Sequence, residues 1–141
     1  MKKLLVRWFG KATPEYRVDG LNGINRIYNR SEFHNLLELE RDRVHRNNHQ
    51  FSVLLFSVNP QKEHDVIELA SHISKRVRRI DQVGWYDDSH IGILLPNTTA
   101  SGAKNIVKDI CSRHNGSTLP LVCETLSYPE TTKLDELVKS V

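Results

Sequence analysis

Three observations predict a single α/β (α+β) domain built on an antiparallel sheet. Short β-branched and aromatic runs, "QFSVLLFSVNP", "QVGWY", "IGILLP" and "LPLVCETL", are bounded by turn-forming residues and read as strands. Longer runs between them repeat apolar residues every three or four positions, the period of a helix. The 141 residues fit one domain and suffice for a hydrophobic core without disulfides or metal.

Residues 1–21 form an arm and lead-in, and residues 22–141 carry the domain. "MKKLLVRWFG" places Lys2, Lys3, Arg7 and Lys11 around Trp8 and Phe9. The apolar run Leu4-Leu5-Val6 is stopped by Arg7, too short for a secretory signal. No run approaches the ~20 apolar residues of a membrane span. The simplest reading is a docking arm that tucks Trp8 and Phe9 against its own domain; contact with an anionic membrane surface is the alternative. Gly10, Pro14, Gly20 and Gly23 keep the lead-in irregular.

Ser31 is a candidate N-cap for a first helix, "EFHNLLELERDRVHR". Its stripe Phe33, Leu36, Leu37, Val44 is interrupted by Glu40, and Asn47-Asn48 stops it. "QFSVLLFSVNP" is the central strand. After Pro60, the residues Val66, Leu69, Ala70, Ile73, Val77 and Ile80 predict a helix of about five turns. "QVGWY" and "IGILLP" form a hairpin around the turn-formers Asp87-Asp88-Ser89-His90. Thr98 or Thr99 caps a helix carrying Ala103, Ile106, Val107, Ile110 and Cys111, which "HNGS" breaks. "LPLVCETL" is the last strand and "KLDELVKSV" a closing helix. The six middle elements spell βαββαβ, a ferredoxin-like core with its helices stacked on one face of an antiparallel sheet.

Composition narrows function only a little. A formal charge of +3 and a pI near 9.0 allow an anionic partner without requiring one. Two cysteines, Cys111 and Cys123, without CxxC spacing fit a reducing cytoplasm. There is no Gly-rich phosphate loop, G-x-S-x-G or HExxH, so no cofactor is expected. His45 with His49, and Cys111 with His114, have metal-like spacings but no further pair nearby, and read as surface or packing residues. The knot Asp87-Asp88-Ser89-His90 reads as a solvated turn. A metal held by Asp87, Asp88 and His90 is the rival reading, but three ligands within four residues seldom converge.

The motifs taken together resemble the diguanylate cyclase (GGDEF) domain over roughly residues 22–140. The likeness lies in "NRSEF" at 29–33, in "FSVLLFSVN", in "RRIDQVGWYDDSHIGILLP", and in "YPE" at 128–130. It implies a nucleotide site at the end of the central strand and on the hairpin. There the family has two strand-end aspartates that help place metal and triphosphate, whereas this chain has Ser57 and Asn59. The family pentapeptide falls on Asp87, Asp88, Ser89, His90 and Ile91. Two aspartates replace glycines that let backbone approach the nucleotide, and Ser89 replaces an acidic metal ligand. The long turn that contacts the guanine base in the family is mostly missing, because Pro60 leads almost directly into the next helix. Two-metal phosphoryl transfer needs carboxylate oxygens for magnesium, and Ser57, Asn59 and Ser89 supply only neutral ones. The expected function is therefore a catalytically inactive regulatory domain that works by binding a partner protein, itself, or cyclic di-GMP.

The resemblance also gives Arg78, Arg79 and Asp81 a role. An R-x-x-D six residues before the pentapeptide is the family's inhibitory site for cyclic di-GMP, and Asp81 keeps that spacing to Asp87. An Arg fork can donate to guanine and phosphate, and a carboxylate can accept from guanine N–H groups. The structural alternative places Arg76, Arg78 and Arg79 in the last turn of a helix, offsetting its dipole, with Asp81 capping a turn or pairing with one of them. A single-stranded RNA-binding module is the alternative of another class, and an active cyclase the third. Against RNA stands the lack of a basic-aromatic RNP pattern; Phe51 and Phe56, like Trp85 and Tyr86, alternate between faces, and "RDRVHR" and "KRVRR" read as solvated helix faces.

Overall fold

In the computed structural model the described residues are 27–114 and 121–129. The expected N-terminal arm, its boundary with the domain, and the closing helix lie outside them. The elements run α1 (Arg30–Asn47), β1 (Phe51–Ser57), α2 (Glu63–Ser74), β2 (Gln82–Asp87), β3 (His90–Pro96), α3 (Ala100–Arg113) and β4 (Cys123–Tyr128). The strands form one sheet in the order β2-β3-β1-β4, every neighbouring pair antiparallel. This is the βαββαβ arrangement that the sequence predicts.

The pleat sorts the core into two halves. Leu54, Phe56, Val83, Trp85, Ile91, Ile93 and Leu95 face α2 and α3, meeting Val66, Leu69, Ile73, Ala103, Ile106 and Ile110. Phe51, Val53, Leu55, Tyr86, Leu94, Leu126 and Tyr128 face the other way, onto Phe33, Leu37 and Val44 of α1. The two helices of the βαββαβ unit thus share a face, and α1 covers the opposite one. Phe51, Phe56 and Trp85 are 0% exposed and Tyr86 9%. None offers a face on which a base could stack.

Three local expectations move. The N-cap of α1 is Asn29, not Ser31. Its side chain accepts the Glu32 N–H at 2.8 Å while the Glu32 carboxylate accepts the Asn29 N–H at 3.1 Å, a reciprocal box that Ser31 has no partner to close. Helix α2 ends at Ser74 rather than near Ile80. Val77 still packs on the core, but Ile80 is 51% exposed, and the arginines 76, 78 and 79 sit beyond the helix. The hairpin loop is only Asp88-Ser89, because Asp87 and His90 pair across the ladder, with a register shift between Trp85 and Asp87. Elsewhere Asn48, in the left-handed region at φ 57°, ends α1, and the Thr99 hydroxyl caps α3 by accepting the Gly102 N–H.

Candidate functional site

The end of β1 and the tip of the β2–β3 hairpin come together at one end of the sheet. Ser57 stands opposite His90 in the register, and the Val58 N–H donates to the Ser89 carbonyl at 2.8 Å. This gathers Ser57, Asn59, Asp87, Asp88, Ser89 and His90, the six positions singled out from the sequence. Of their two carboxylates, Asp87 is held within the turn and Asp88 stays exposed. Asp87 accepts the Ser89 N–H at 2.9 Å, which shapes the turn, and meets His90 Nδ1 at 2.8 Å. Asp88 faces Arg30 across 3.8 Å. The Ser89 hydroxyl lies 3.3 Å from the same His90 nitrogen, so no relay runs from serine through the ring to Asp87. The side chain of Asn59 accepts the Gln61 N–H at 3.0 Å and starts the short turn into α2. Among the described residues, no three His, Cys, Asp or Glu side chains converge in a way that could hold a metal ion.

Helix α1 secures this tip through one short segment, 29–34. Asn29 caps the helix and Arg30 reaches Asp88. Phe33 lies flat against the sheet over Gly84 and Gly92; a Cβ at either would fall 2.7 or 2.6 Å from its ring. The His34 Nε2–H donates to the Tyr86 carbonyl at 2.7 Å, and the imidazole stacks at 4.7 Å on the Tyr86 ring. Burial holds the His34 imidazole below its ordinary pKa, which keeps the ring neutral. The "NRSEF" motif by itself assigns no role to Arg30 or to the neighbouring His34. The i, i+3, i+4 spacing of Arg30, Phe33 and His34 was the available signal, since it aims all three at one neighbour.

The second candidate region follows α2. Arg78 and Asp81 do meet, and they are occupied with each other. The Arg78 guanidinium donates to both Asp81 oxygens, at 2.9 and 3.2 Å, and the Arg78 backbone N–H donates at 2.7 Å. The same guanidinium reaches the Pro96 carbonyl at 3.1 Å and the Thr98 hydroxyl at 2.9 Å. The Asp81 side chain is 0% exposed. The motif therefore ties the 75–81 connection to the end of β3. A cavity of about 350 Å³ lies beside it, lined by Arg76, Arg78, Asn97, Thr98, Thr99, Gly102, Asn105 and Ile106. Arg76 is paired with Asp109 at 2.6 Å, and Arg79 points into solvent. The cysteines are partly buried packing residues; burial pushes the Cys123 thiol up to about 12 and raises that of Cys111 as well.

Comparison with known proteins adds the following. The family model "Diguanylate cyclase, GGDEF domain" matches residues 18–133. No curated protein matches. Among solved structures, a DGC protein from Thermotoga maritima superposes with a TM-score of 0.71 at 20% identity, covering 82% of this chain and 92% of that one. The GGDEF domain of YfiN from Pseudomonas aeruginosa gives 0.63 at 20% identity, over 79% and 82%. The diguanylate cyclase SiaD of the same organism, in complex with its activator SiaC, gives 0.57 at 17% identity, over 79% of this chain and 53% of that one. At these identities the structures speak to fold. Among the described residues no helix is long and apolar enough to cross a membrane.

Proposed function

The chain belongs to the diguanylate cyclase GGDEF-domain family, and from that premise we propose that it is a member without cyclase activity that acts by protein contact. One observation carries this reading: the end of β1 brings no carboxylate to the hairpin. Magnesium bridging a triphosphate needs several anionic oxygens. Ser57, Asn59 and Ser89 offer none, and Asp87 at the tip is engaged by His90 and a backbone N–H, which leaves the exposed Asp88 as the one carboxylate there without a close partner among the described residues. Asp87 and Asp88 also stand where the resemblance puts the nucleotide, and their charge repels phosphate.

For the binding role, protein contact is favoured over cyclic di-GMP. Capture of the dinucleotide by Arg78 and Asp81 would require opening a bidentate pair whose carboxylate is fully buried. SiaD, a structural neighbour, is known in complex with a protein activator, which makes protein contact a natural use of this fold. RNA binding finds no support in the sheet, whose four candidate aromatics are buried.

The test is incubation of the purified chain with GTP and magnesium or manganese, followed by chromatographic detection of cyclic di-GMP. No product is expected. Synthesis that scales with protein and disappears in Ser57→Ala would overturn the proposal. A calorimetric titration with cyclic di-GMP, repeated on Arg79→Ala, checks the small-molecule branch. Heat that the exposed Arg79 controls would move the binding role from protein to dinucleotide.

A further inference from the structure

Two histidines meet across the seam between α2 and α3. His72 lies in the last turn of α2, and His114 is the C-cap of α3. Their rings stand edge-to-face at 89°, with centroids 5.2 Å apart. Ile73 of one helix and Ile110 of the other are fully buried in the shared core, so the two rings sit at its margin. The Nδ1 atom of His114 is cut off from water and makes no hydrogen bond. A place that already leaves one ring nitrogen unsolvated has little water to offer a charge. The charged groups around His72 do not make up for that. On α2, the Glu68 carboxylate is 3.9 Å from His72 Nε2, and Lys75 follows; on α3, Arg113 stands next to His114. Cys111, one turn earlier, stays a neutral thiol, because burial raises its pKa. Arg76 and Asp109, farther along the seam, are spent on each other at 2.6 Å. The connection 115–122 contains no ionisable side chain.

We propose that protonation of His72 releases this end of the α2–α3 seam: the charged ring leaves His114 for solvent, and the last turn of α3 comes away from α2 while the sheet and α1 stay folded. A proton on His72 meets two cations and a partner ring that can itself carry only positive charge. Against them stands one carboxylate, 40% exposed and beyond hydrogen-bonding distance. The negative end of the α2 dipole favours a cation here, but burial is the largest influence on the ring and, with His114, holds it below its ordinary pKa. The end of α3 is the part suited to yield. Ser112 and Arg113 are exposed, and the His114 N–H closes the helix with a bond to the Ile110 carbonyl at 3.0 Å. Toward its start α3 is tied down by the Arg76–Asp109 pair and by Arg78 on Thr98, so the opening stops there. In the released state His72 titrates near its unfolded value of about 6.5, and in the closed state lower. Release is therefore unaffected well above that pH and grows as pH falls below it, by at most about tenfold per unit. The device concerns conformation, and it holds whether the chain serves a partner or a nucleotide.

The experiment is amide hydrogen exchange of the full chain, read residue by residue by NMR between about pH 7.5 and 5.5, with protection corrected for the intrinsic pH dependence of exchange. The amides of residues 111–114 are expected to be less protected than those of β1 throughout. They are expected to lose protection as pH falls, by up to about tenfold for each unit below about 6.5. His72→Gln and His72→Phe cannot take up the proton, so each should hold that protection constant. The phenylalanine keeps a ring against His114 and serves if the glutamine variant fails to fold. Protection at 111–114 that is flat with pH in the unaltered chain overturns the proposal, as does a fall that persists in a folded variant. Protection that matches β1 at every pH also overturns it, because the domain then unfolds as one unit. Should neither variant fold, the His72 ring itself decides: titration in the folded chain at or above about 6.5 refutes the release, and titration below it together with the loss at 111–114 supports it.

Discussion

Truncating Arg78 to alanine separates a structural clamp from a ligand site. The guanidinium supplies two of the three hydrogen bonds that satisfy the Asp81 carboxylate; the third, from the Arg78 backbone N–H at 2.7 Å, survives the substitution. Breaking a fully buried ion pair costs about 3–5 kcal/mol. Here the acid is 0% exposed but Arg78 is 44% exposed, so water can enter from one side and the loss falls to about 2 kcal/mol. The abandoned Pro96 carbonyl and Thr98 hydroxyl add about 1 kcal/mol. Urea unfolding should therefore show Arg78→Ala about 3 kcal/mol less stable, a midpoint shift of about 1.5 M for a slope near 2 kcal/mol/M. Asp81→Asn, which removes the charge but keeps the shape, should cost about half as much, and the double variant should fall short of the sum by at least about 1 kcal/mol. An Arg78→Ala protein within about 0.5 kcal/mol of the parent, or strict additivity with Asp81→Asn, would refute the clamp and return both side chains to the ligand.

Further measurements probe the α1 face. Gly92→Ala puts a Cβ 2.6 Å from the Phe33 ring, so it should cost about 1–3 kcal/mol in urea unfolding, and Phe33→Leu in the same chain should recover part of that loss. His34 has a folded pKa held below its unfolded value of about 6.5, chiefly by burial. Below that pH the unfolded chain takes up a proton that the folded ring refuses, so stability should fall as pH drops from 7.5 through 6. His34→Gln, which keeps a donor to the Tyr86 carbonyl, should flatten part of the slope, with the remainder belonging to His72, lowered by burial and by His114. Tyr128→Phe deletes the 2.6 Å contact between its hydroxyl and His45 and should cost about 0.5–1.5 kcal/mol by the same unfolding assay, with no change in secondary structure.

The strands, their antiparallel order and a pairing of Asp81 with one of the arginines before it are legible because each rests on local pattern: β-branched runs, turn-forming residues between them, a short spacing. What escaped depended on contacts distant in sequence. Apolar periodicity alone extends α2 to Ile80, but the chain leaves the helix at Ser74, and Arg78 then reaches Asp81, the Pro96 carbonyl and the Thr98 hydroxyl together. Ser31 and Asn29 are both good caps, and only the reach of Glu32 back to the Asn29 N–H decides between them. The functional meaning of Arg78 turned on burial: the spacing is the same whether the guanidinium faces a ligand or Asp81, and only the 0% exposure of the carboxylate tells the two apart.

Phe33 resting on Gly84 and Gly92 has a consequence for how such a sequence can drift. The cohesion of that side of the molecule passes through an aromatic plate and two residues that tolerate nothing larger than hydrogen. The side chains of Asp88 and Ser89, a few positions outward, are exposed and pack on neither residue. A loop mounted on such a footing can change one substitution at a time while the architecture behind it stays intact.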